Sequence, residues 1–364
     1  MVGPAIAEPA SRRPWPGPGA ILAPEVAASR CVHSHLEQAS CRACVDACPR
    51  GAFVLDDERL GVDTGRCDAC GVCIPACPQG AVLGTFGPVT YRVGGEPVTV
   101  TAFAACAPAL GPIGEPGVLP CLHALGLREL LALRCDGVTQ LIVSRGDCGR
   151  CPRGSATPID THLDAARRIL ASRGVIGLAT VCLDPVAWLR AREAAARQPR
   201  PGLNRRAFFC HAVGTVVEQV RSRADGEAGS HQVVAGSAPG RWFPTTGPGQ
   251  LVPFAPEINP ARCTGCDTCA RLCPEGAIRV EPDAYRLDPD ACTGCGVCVD
   301  LCTQGAVTVR PLAVPVRTLI PLHCGRCRAC GAPFHTPSQD RTGAALCPVC
   351  ALTQHHRRLF QVLD

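Results

Sequence analysis

At 364 residues the chain is long enough for two or three domains, and a net charge of +5 is too small for that length to argue for or against nucleic acid. All 36 basic residues are arginine, which excludes a P-loop lysine, a Schiff base and a lysine general base. No G-x-G-x-x-G run supports a Rossmann dinucleotide site. The 28 cysteines fall into CxxC and CxxCxxC runs, which read as metal or cluster ligands in a reducing compartment rather than as a secreted disulfide scaffold.

In chain order, residues 1–30 are rich in Pro, Gly and Ala and read as a flexible N-terminal segment without the apolar core of a signal peptide. No uncharged apolar run anywhere approaches the roughly 20 residues that span a bilayer, so no membrane span is expected and the expected location is cytoplasmic. Residues 31–90 form a first cysteine module, reading CRACVDACPRGA from Cys41 and CDACGVCIPACPQGA from Cys67.

Residues 98–200 change character. The β-branched runs Val98–Ala104, Thr139–Ser144 and Val175–Val181 alternate with helical patterns over Leu122–Arg134, over Asp160–Ser172 and from Asp184, an N-cap followed by Pro185. That alternation predicts a small α/β domain with a parallel sheet, whose strands end along one ligand-binding edge. Cys106, Cys121, Cys148 and Cys182 each follow a short predicted strand, and Cys148 and Cys151 form a CxxC in GDCGRCPRG. Cys106, Cys121, Cys148 and Cys151 are therefore candidate ligands of a separate site, with Cys182 in reserve; the competing reading makes them small core residues that cap strands. Cys135 and Cys210 fall on predicted helices and read as ordinary buried cysteines.

Residues 201–222 read as a helix. Asn204–Phe209 resembles a twin-arginine export signal, but it lies mid-chain and is followed by His211, Glu218 and Arg221. Residues 223–256 are rich in Gly, Pro and Ser and read as a linker, 257–312 as a second cysteine module, and 320–364 as a cysteine-rich tail.

The two modules are an internal repeat. A shift of 225 positions superimposes Cys41, Cys44, Cys48, Cys67, Cys70, Cys73 and Cys77 on Cys266, Cys269, Cys273, Cys292, Cys295, Cys298 and Cys302. In the bacterial run CxxCxxCxxxCP three thiolates serve one [4Fe–4S] cluster and the fourth serves its neighbour. That rule assigns Cys263, Cys266, Cys269 and Cys302 to one cluster, and Cys292, Cys295, Cys298 and Cys273 to another. Cys302 precedes Thr303 in place of proline, and all four ligands remain present. Glycines beside the cysteines (Gly71, Gly265, Gly294, Gly296) allow close backbone approach, so that amides can point at the sulfurs.

In the first module Cys67, Cys70, Cys73 and Cys48 complete one set. For the other, Cys41, Cys44 and Cys77 are present, but Gln38 stands at the position of Cys263. Cys31, seven residues upstream with His33 and His35 between, is the favoured fourth ligand; a [3Fe–4S] or histidine-ligated site is the alternative.

This pattern closely resembles the 2[4Fe–4S] bacterial-type ferredoxin family over about residues 31–83 and 258–310. The resemblance implies two compact α+β, ferredoxin-like dicluster modules with pseudo-twofold symmetry and one-electron transfer at low potential. Residues 98–175 more distantly resemble the delta iron–sulfur subunit of methyl-viologen-reducing hydrogenases. That resemblance implies a [2Fe–2S]-type relay that passes electrons to a partner.

In the tail, Cys327, Cys330, Cys347 and Cys350 have the spacing of a zinc ribbon and resemble zinc-ribbon knuckles. Cys324 extends the run to CxxCxxC, so a fifth iron–sulfur cluster competes, as does a single iron at the CPVC turn. His355-His356-Arg357-Arg358 is mildly basic, but it lacks the broad patch and interleaved aromatics of a nucleic-acid binder.

The expected cofactors are three or four [4Fe–4S] clusters, a further [2Fe–2S] or similar cluster, and zinc. The expected function is a non-catalytic electron-transfer subunit that exchanges electrons with an oxidoreductase catalytic subunit or soluble redox partner. The alternatives are a cysteine-based reductase built on the central domain and an iron–sulfur redox sensor.

Overall fold

The computed structural model describes residues 23–56, 60–84, 86–93, 99–111, 115–151, 158–198, 238–244, 246–337 and 346–353. Most of the expected N-terminal segment, the expected helix at 201–222 with Cys210, the first part of the expected linker (223–237), and His355–Arg358 lie outside the described residues.

The first module begins with β1 (Glu25–Val26), followed by the short helix α1 (Ala43–Ala47), β2 (Phe53–Leu55), β3 (Leu60–Val62), α2 (Cys73–Ala76) and β4 (Val82–Leu83). β1 pairs antiparallel with β4, and β2 with β3. Both helices are cut short for the same reason. Pro49 and Pro78 disfavour helical torsions at the residue before them, and Cys48 and Cys77 are extended (ψ 112° and 110°). The core of this module is largely its own cysteines, with Cys31, Cys44 and Cys73 buried beside Phe53, Leu60, Ala81 and Val82.

The central domain comprises β5 (Val89–Val93), β6 (Thr99–Cys106), α3 (Ala107–Leu110), β7 (Val118–Leu119), α4 (Leu127–Cys135), β8 (Val138–Ser144), α5 (Ile159–Ser172), β9 (Ala179–Cys182) and α6 (Pro185–Arg197). Its strands lie in the order β5-β6-β8-β9, with β7 also on β6. The pairs β6–β7, β6–β8 and β8–β9 are parallel, as expected, but β5 is antiparallel to β6, so the sheet is mixed. Alternate residues of β6 face opposite layers. Ala102 and Ala104 pack with Leu130, Leu131, Leu163 and Leu170 of α4 and α5, while Phe103 and Ala105 pack with Trp188 of α6. Asp184 caps α6 by accepting from the amides of Val186 and Ala187 (3.0 and 2.9 Å).

The expected linker at 223–256 ends earlier than its composition suggests. Trp242 and Phe243 are buried in the α4–α5 side of the core, and a strand starts at Val252. Two aromatic side chains outweigh the glycines and prolines around them, because burying them removes large apolar areas from water.

The second module comprises β10 (Val252–Ile258), α7 (Thr268–Arg271), β11 (Ile278–Val280), β12 (Ala284–Leu287), α8 (Val297–Asp300), β13 (Val307–Ala313) and β14 (Leu319–Pro321). β10 pairs antiparallel with β13, and β11, β12 and β14 form a small antiparallel sheet. The tail adds the hairpin β15 (His323–Arg326) and β16 (Pro333–Thr336), then the helix α9 (Pro348–Thr353).

Arg173, just past α5, ties the central domain to the second module. Its guanidinium is 2% exposed. It donates to Asp290 Oδ1 (3.0 Å) and to the carbonyls of Gly240, Pro244 and Leu251 (3.3 Å each).

Candidate iron–sulfur and metal sites

One backbone frame occurs four times around the cysteines. In CPRGA, CPQGA, CPEGA and CTQGA the amide of the alanine donates to the sulfur of the cysteine four residues earlier. The bonds run from Ala52 to Cys48 (3.4 Å), Ala81 to Cys77 (3.2 Å), Ala277 to Cys273 (3.2 Å) and Ala306 to Cys302 (3.2 Å). The glycine before each alanine has a left-handed φ, from +54° to +61° at Gly51, Gly80, Gly276 and Gly305, which a side chain would strain. Each alanine carbonyl then receives an amide from another segment: Asp63 at Ala52, Asp288 at Ala277, Asn259 at Ala306 and Ala27 at Ala81. In every case a cysteine stands four residues after that donor: Cys67, Cys292, Cys263 and Cys31.

The frame therefore puts Cys31 where Cys263 stands in the second module. Strand register agrees, since Val26 faces Val82 as Ile258 faces Val307. Up to Cys31 the two modules are offset by 232 residues and after Cys41 by 225, so a seven-residue insertion separates them. Gln38, which the ungapped shift placed at this position, lies in that insertion and is exposed. His33 and His35 each hydrogen-bond a backbone carbonyl through Nε2, those of Cys41 and Ser29, so that nitrogen carries a proton and does not ligate.

The cysteines gather in sets whose thiolates act on one another. Burial pushes Cys44 up to about 12, and the charges of Cys77, Cys41 and Cys31 add to the rise. Burial likewise pushes Cys73 to about 12, helped by Cys70, Cys48 and Cys44, and Cys269 to about 12, helped by Cys263, Cys266 and Cys302. Burial takes Cys292 to about 12, with Cys295 and Cys273 adding, and Cys298 rises for the same reasons. Clustered, desolvated thiols of one sign repel each other when ionised, and a cationic iron–sulfur core would offset that repulsion. The donor sets fit such a group: the described cysteines carry no disulfide, and amides and left-handed glycines face the sulfurs.

In the central domain Cys106 ends β6, Cys121 follows β7, and Cys148 and Cys151 follow β8. All four line one cavity at the carboxyl edge of the parallel strands, together with Pro108, Leu122, His123 and Ile159. Burial pushes Cys121 up to about 11, and the charges of Cys151, Cys106 and Cys148 add to it. The amide of Gly146 donates to Cys106 Sγ (3.3 Å). Cys182, in reserve from the sequence, is exposed at the end of β9 and does not line this cavity. Cys135 is half-buried on α4, with its thiol near the carbonyl of Trp242 (3.6 Å).

In the tail, the sulfurs of Cys327, Cys330, Cys347 and Cys350 all lie within 4.8 Å of one another, a group able to hold one metal ion. Cys324 is exposed on β15 and outside that group. The tail hairpin leans on the second module: a side chain at Gly265 would collide with the carbonyl of His335. His335 Nε2 pairs with Asp267 Oδ1 (2.8 Å), which also accepts from the buried Tyr285 hydroxyl (2.7 Å). Asp267 holds a left-handed φ of +64°, unusual outside glycine, and these bonds secure it. Nothing in the cysteine spacing announced Asp267, Tyr285 or His335, because Tyr285 meets Asp267 only through the fold of the module and His335 meets it only once the tail docks.

No helix among the described residues is long and apolar enough to cross a membrane. No curated protein matches the chain. Two segments, residues 39–81 and 262–306, each match the 4Fe-4S dicluster domain family model, and together they make up about a quarter of the chain. The first match begins after Cys31, so that cysteine stands outside the matched segment. The two modules are thus ferredoxin-like 4Fe-4S dicluster domains, and iron–sulfur electron transfer is the chemistry they indicate.

Proposed function

We propose that the chain is an electron-transfer protein that holds four [4Fe–4S] clusters and relays single electrons to or from a partner oxidoreductase. The ligand sets are Cys31, Cys41, Cys44 and Cys77; Cys48, Cys67, Cys70 and Cys73; Cys263, Cys266, Cys269 and Cys302; and Cys273, Cys292, Cys295 and Cys298. The fourfold backbone frame carries this reading, because it supplies Cys31 for the one set whose spacing is irregular.

When bound, such clusters accept and release one electron at a time. The chain's own residues bury two cysteines of each set, and they aim the amides of Ala52, Ala81, Ala277 and Ala306 at the sulfurs, which favours the more negative state. The four cysteines of the central cavity fit a further cluster of the [2Fe–2S] type, as the resemblance to the hydrogenase delta subunit implies.

The tail site fits zinc and a ribbon-like role. A Zn–S bond of about 2.3 Å places tetrahedral sulfurs roughly 3.8 Å apart, and Cys330 and Cys347 stand 3.8 Å apart. A reducing cytoplasm suits this many free thiols.

The test is iron and sulfide analysis of anaerobically purified full-length protein. About four iron atoms per set are expected in both modules. Iron confined to one module, or sufficient for no more than two clusters per chain, would defeat the proposal.

A further inference from the structure

The two modules meet cysteine loop against cysteine loop. Ser40, beside Cys41, donates through its amide (2.9 Å) and hydroxyl (2.7 Å) to the two oxygens of Asp300, which lies between Cys298 and Cys302. Gln79, two residues past Cys77, is 5% exposed and donates to the buried Thr293 Oγ1 beside Cys292 (3.0 Å). The repeat supplies its own control. Gln304 holds the same position in the second module, yet it is exposed and bonds only its neighbour Thr303. The same position of the repeat, differing locally in Pro78 against Thr303, is thus buried at one site and open at the other, and the partner that buries Gln79 is the other module's Thr293.

Beyond the junction, each cysteine set has a neighbour on either side. Cys70 and Val72 pack against Cys121 of the central cavity, and a side chain at Gly71 would strike Phe86 and approach Ala124. Within the first module Cys44 packs in one core with Cys73, and within the second Cys269 packs in one core with Cys298. Between modules the junction joins the loops of Cys41 and Cys77 to those of Cys292 and Cys298 through the Ser40–Asp300 and Gln79–Thr293 bonds.

We propose that the sites stand in single file: the central cavity, the Cys70 set, the Cys44 set, the Cys295 set, and the Cys269 set beside the tail. Ser40, Gln79, Thr293 and Asp300 are positioning residues that fix the one junction between modules. This rests on the assignment of four clusters given above.

What crosses the junction is one electron. One set is oxidised by one electron as its neighbour is reduced by one, with a low-potential one-electron donor as the source. No bond forms or breaks and no proton moves. The task of the four residues is to hold separation, and they have no part in the chemistry.

Electron paramagnetic resonance of dithionite-reduced, full-length protein tests the order without any turnover. In the Gln79→Ala/Asp300→Ala double variant, iron and sulfide content should match wild type. The magnetic coupling between the two modules, read as signal splitting and fast relaxation, should fall severalfold. A fully loaded variant with unchanged coupling overturns the proposal.

A second comparison holds if that variant folds poorly. Cys295→Ser, which disables the set facing the junction, should slow relaxation of the first-module signals, whereas Cys266→Ser, at the far set, should leave them as they were. The reverse pattern, or no difference between the two, overturns the single file. Iron confined to one module would overturn the four-cluster assignment itself, a result distinct from loaded modules that do not couple.

Discussion

Replacing Arg173 with leucine should loosen the contact between the central domain and the second module while leaving each folded. The Arg173–Asp290 pair is 2% and 9% exposed, so its loss leaves a carboxylate in a desolvated site. Breaking a buried pair costs about 3–5 kcal/mol. Asp290 keeps two bonds from Thr246, to the amide (2.9 Å) and the hydroxyl (2.6 Å), which places the cost at the lower end. About 3 kcal/mol corresponds to roughly a hundredfold in a local opening equilibrium.

Hydrogen exchange reads that opening directly at two amides, Thr246, bonded to Asp290, and Leu251, bonded to Ser172 Oγ (3.0 Å). Both should exchange faster by about that factor, with amides of β6 and β8 unchanged. Adding Asp290→Asn removes the orphaned charge and should restore part of the protection. Acceleration of less than about threefold at both amides in the single variant would refute the claim that this pair secures the interface.

Cys31→Ser should remove or convert one cluster and spare the others, and unchanged paramagnetic spectra in oxidised and reduced protein would refute the ligand assignment. Gly265→Ala and Gly276→Ala both place a side chain at positive φ (+76° and +61°), costing roughly 1–2 kcal/mol each. Only the first also runs into the carbonyl of His335, so only Gly265→Ala should speed tryptic cleavage at Arg326 and Arg328; equal rates would count against tail docking. Backbone amides hold Cys327 down at about 6, so in the metal-free protein it is already a thiolate at neutral pH. Zinc binding should then release up to one proton fewer at pH 7 than below pH 6, measured by calorimetry in buffers of different ionisation enthalpy. An equal release at the two pH values would contradict the low value.

Seven cysteine pairs were legible at once because ligand spacing is fixed by the group they hold, and the strands and helices of the central domain followed from β-branched runs and the Asp184-Pro185 start. Cys31 was legible only as a candidate, since a seven-residue insertion broke the register; the amide of Ala27 on the carbonyl of Ala81 restores it. β5 escaped notice because Val89–Val93 alternates apolar and polar residues at an edge, beside the end of the first module. The packing of Trp242 and Phe243 was hidden by surrounding glycine and proline. Gln79 and Gln304 hold the same position in the repeat, and the partner that buries Gln79 stands more than 200 residues away in the chain.

The pairing of β1 with β4, and of β10 with β13, has a consequence for how such a chain could arise. The strand that leads into each pair of cysteine runs adjoins the strand that leaves it, so the chain enters and leaves each two-run core side by side. A unit built that way can be copied or spliced into another gene with little disturbance on either flank, since the host need bridge only a short gap. The antiparallel strand β5 then serves as the splice on one side, leading directly from β4 into the central sheet. Transplanting residues 23–84 into a surface loop of an unrelated scaffold would exploit the same closure, and would give a portable two-cluster cassette.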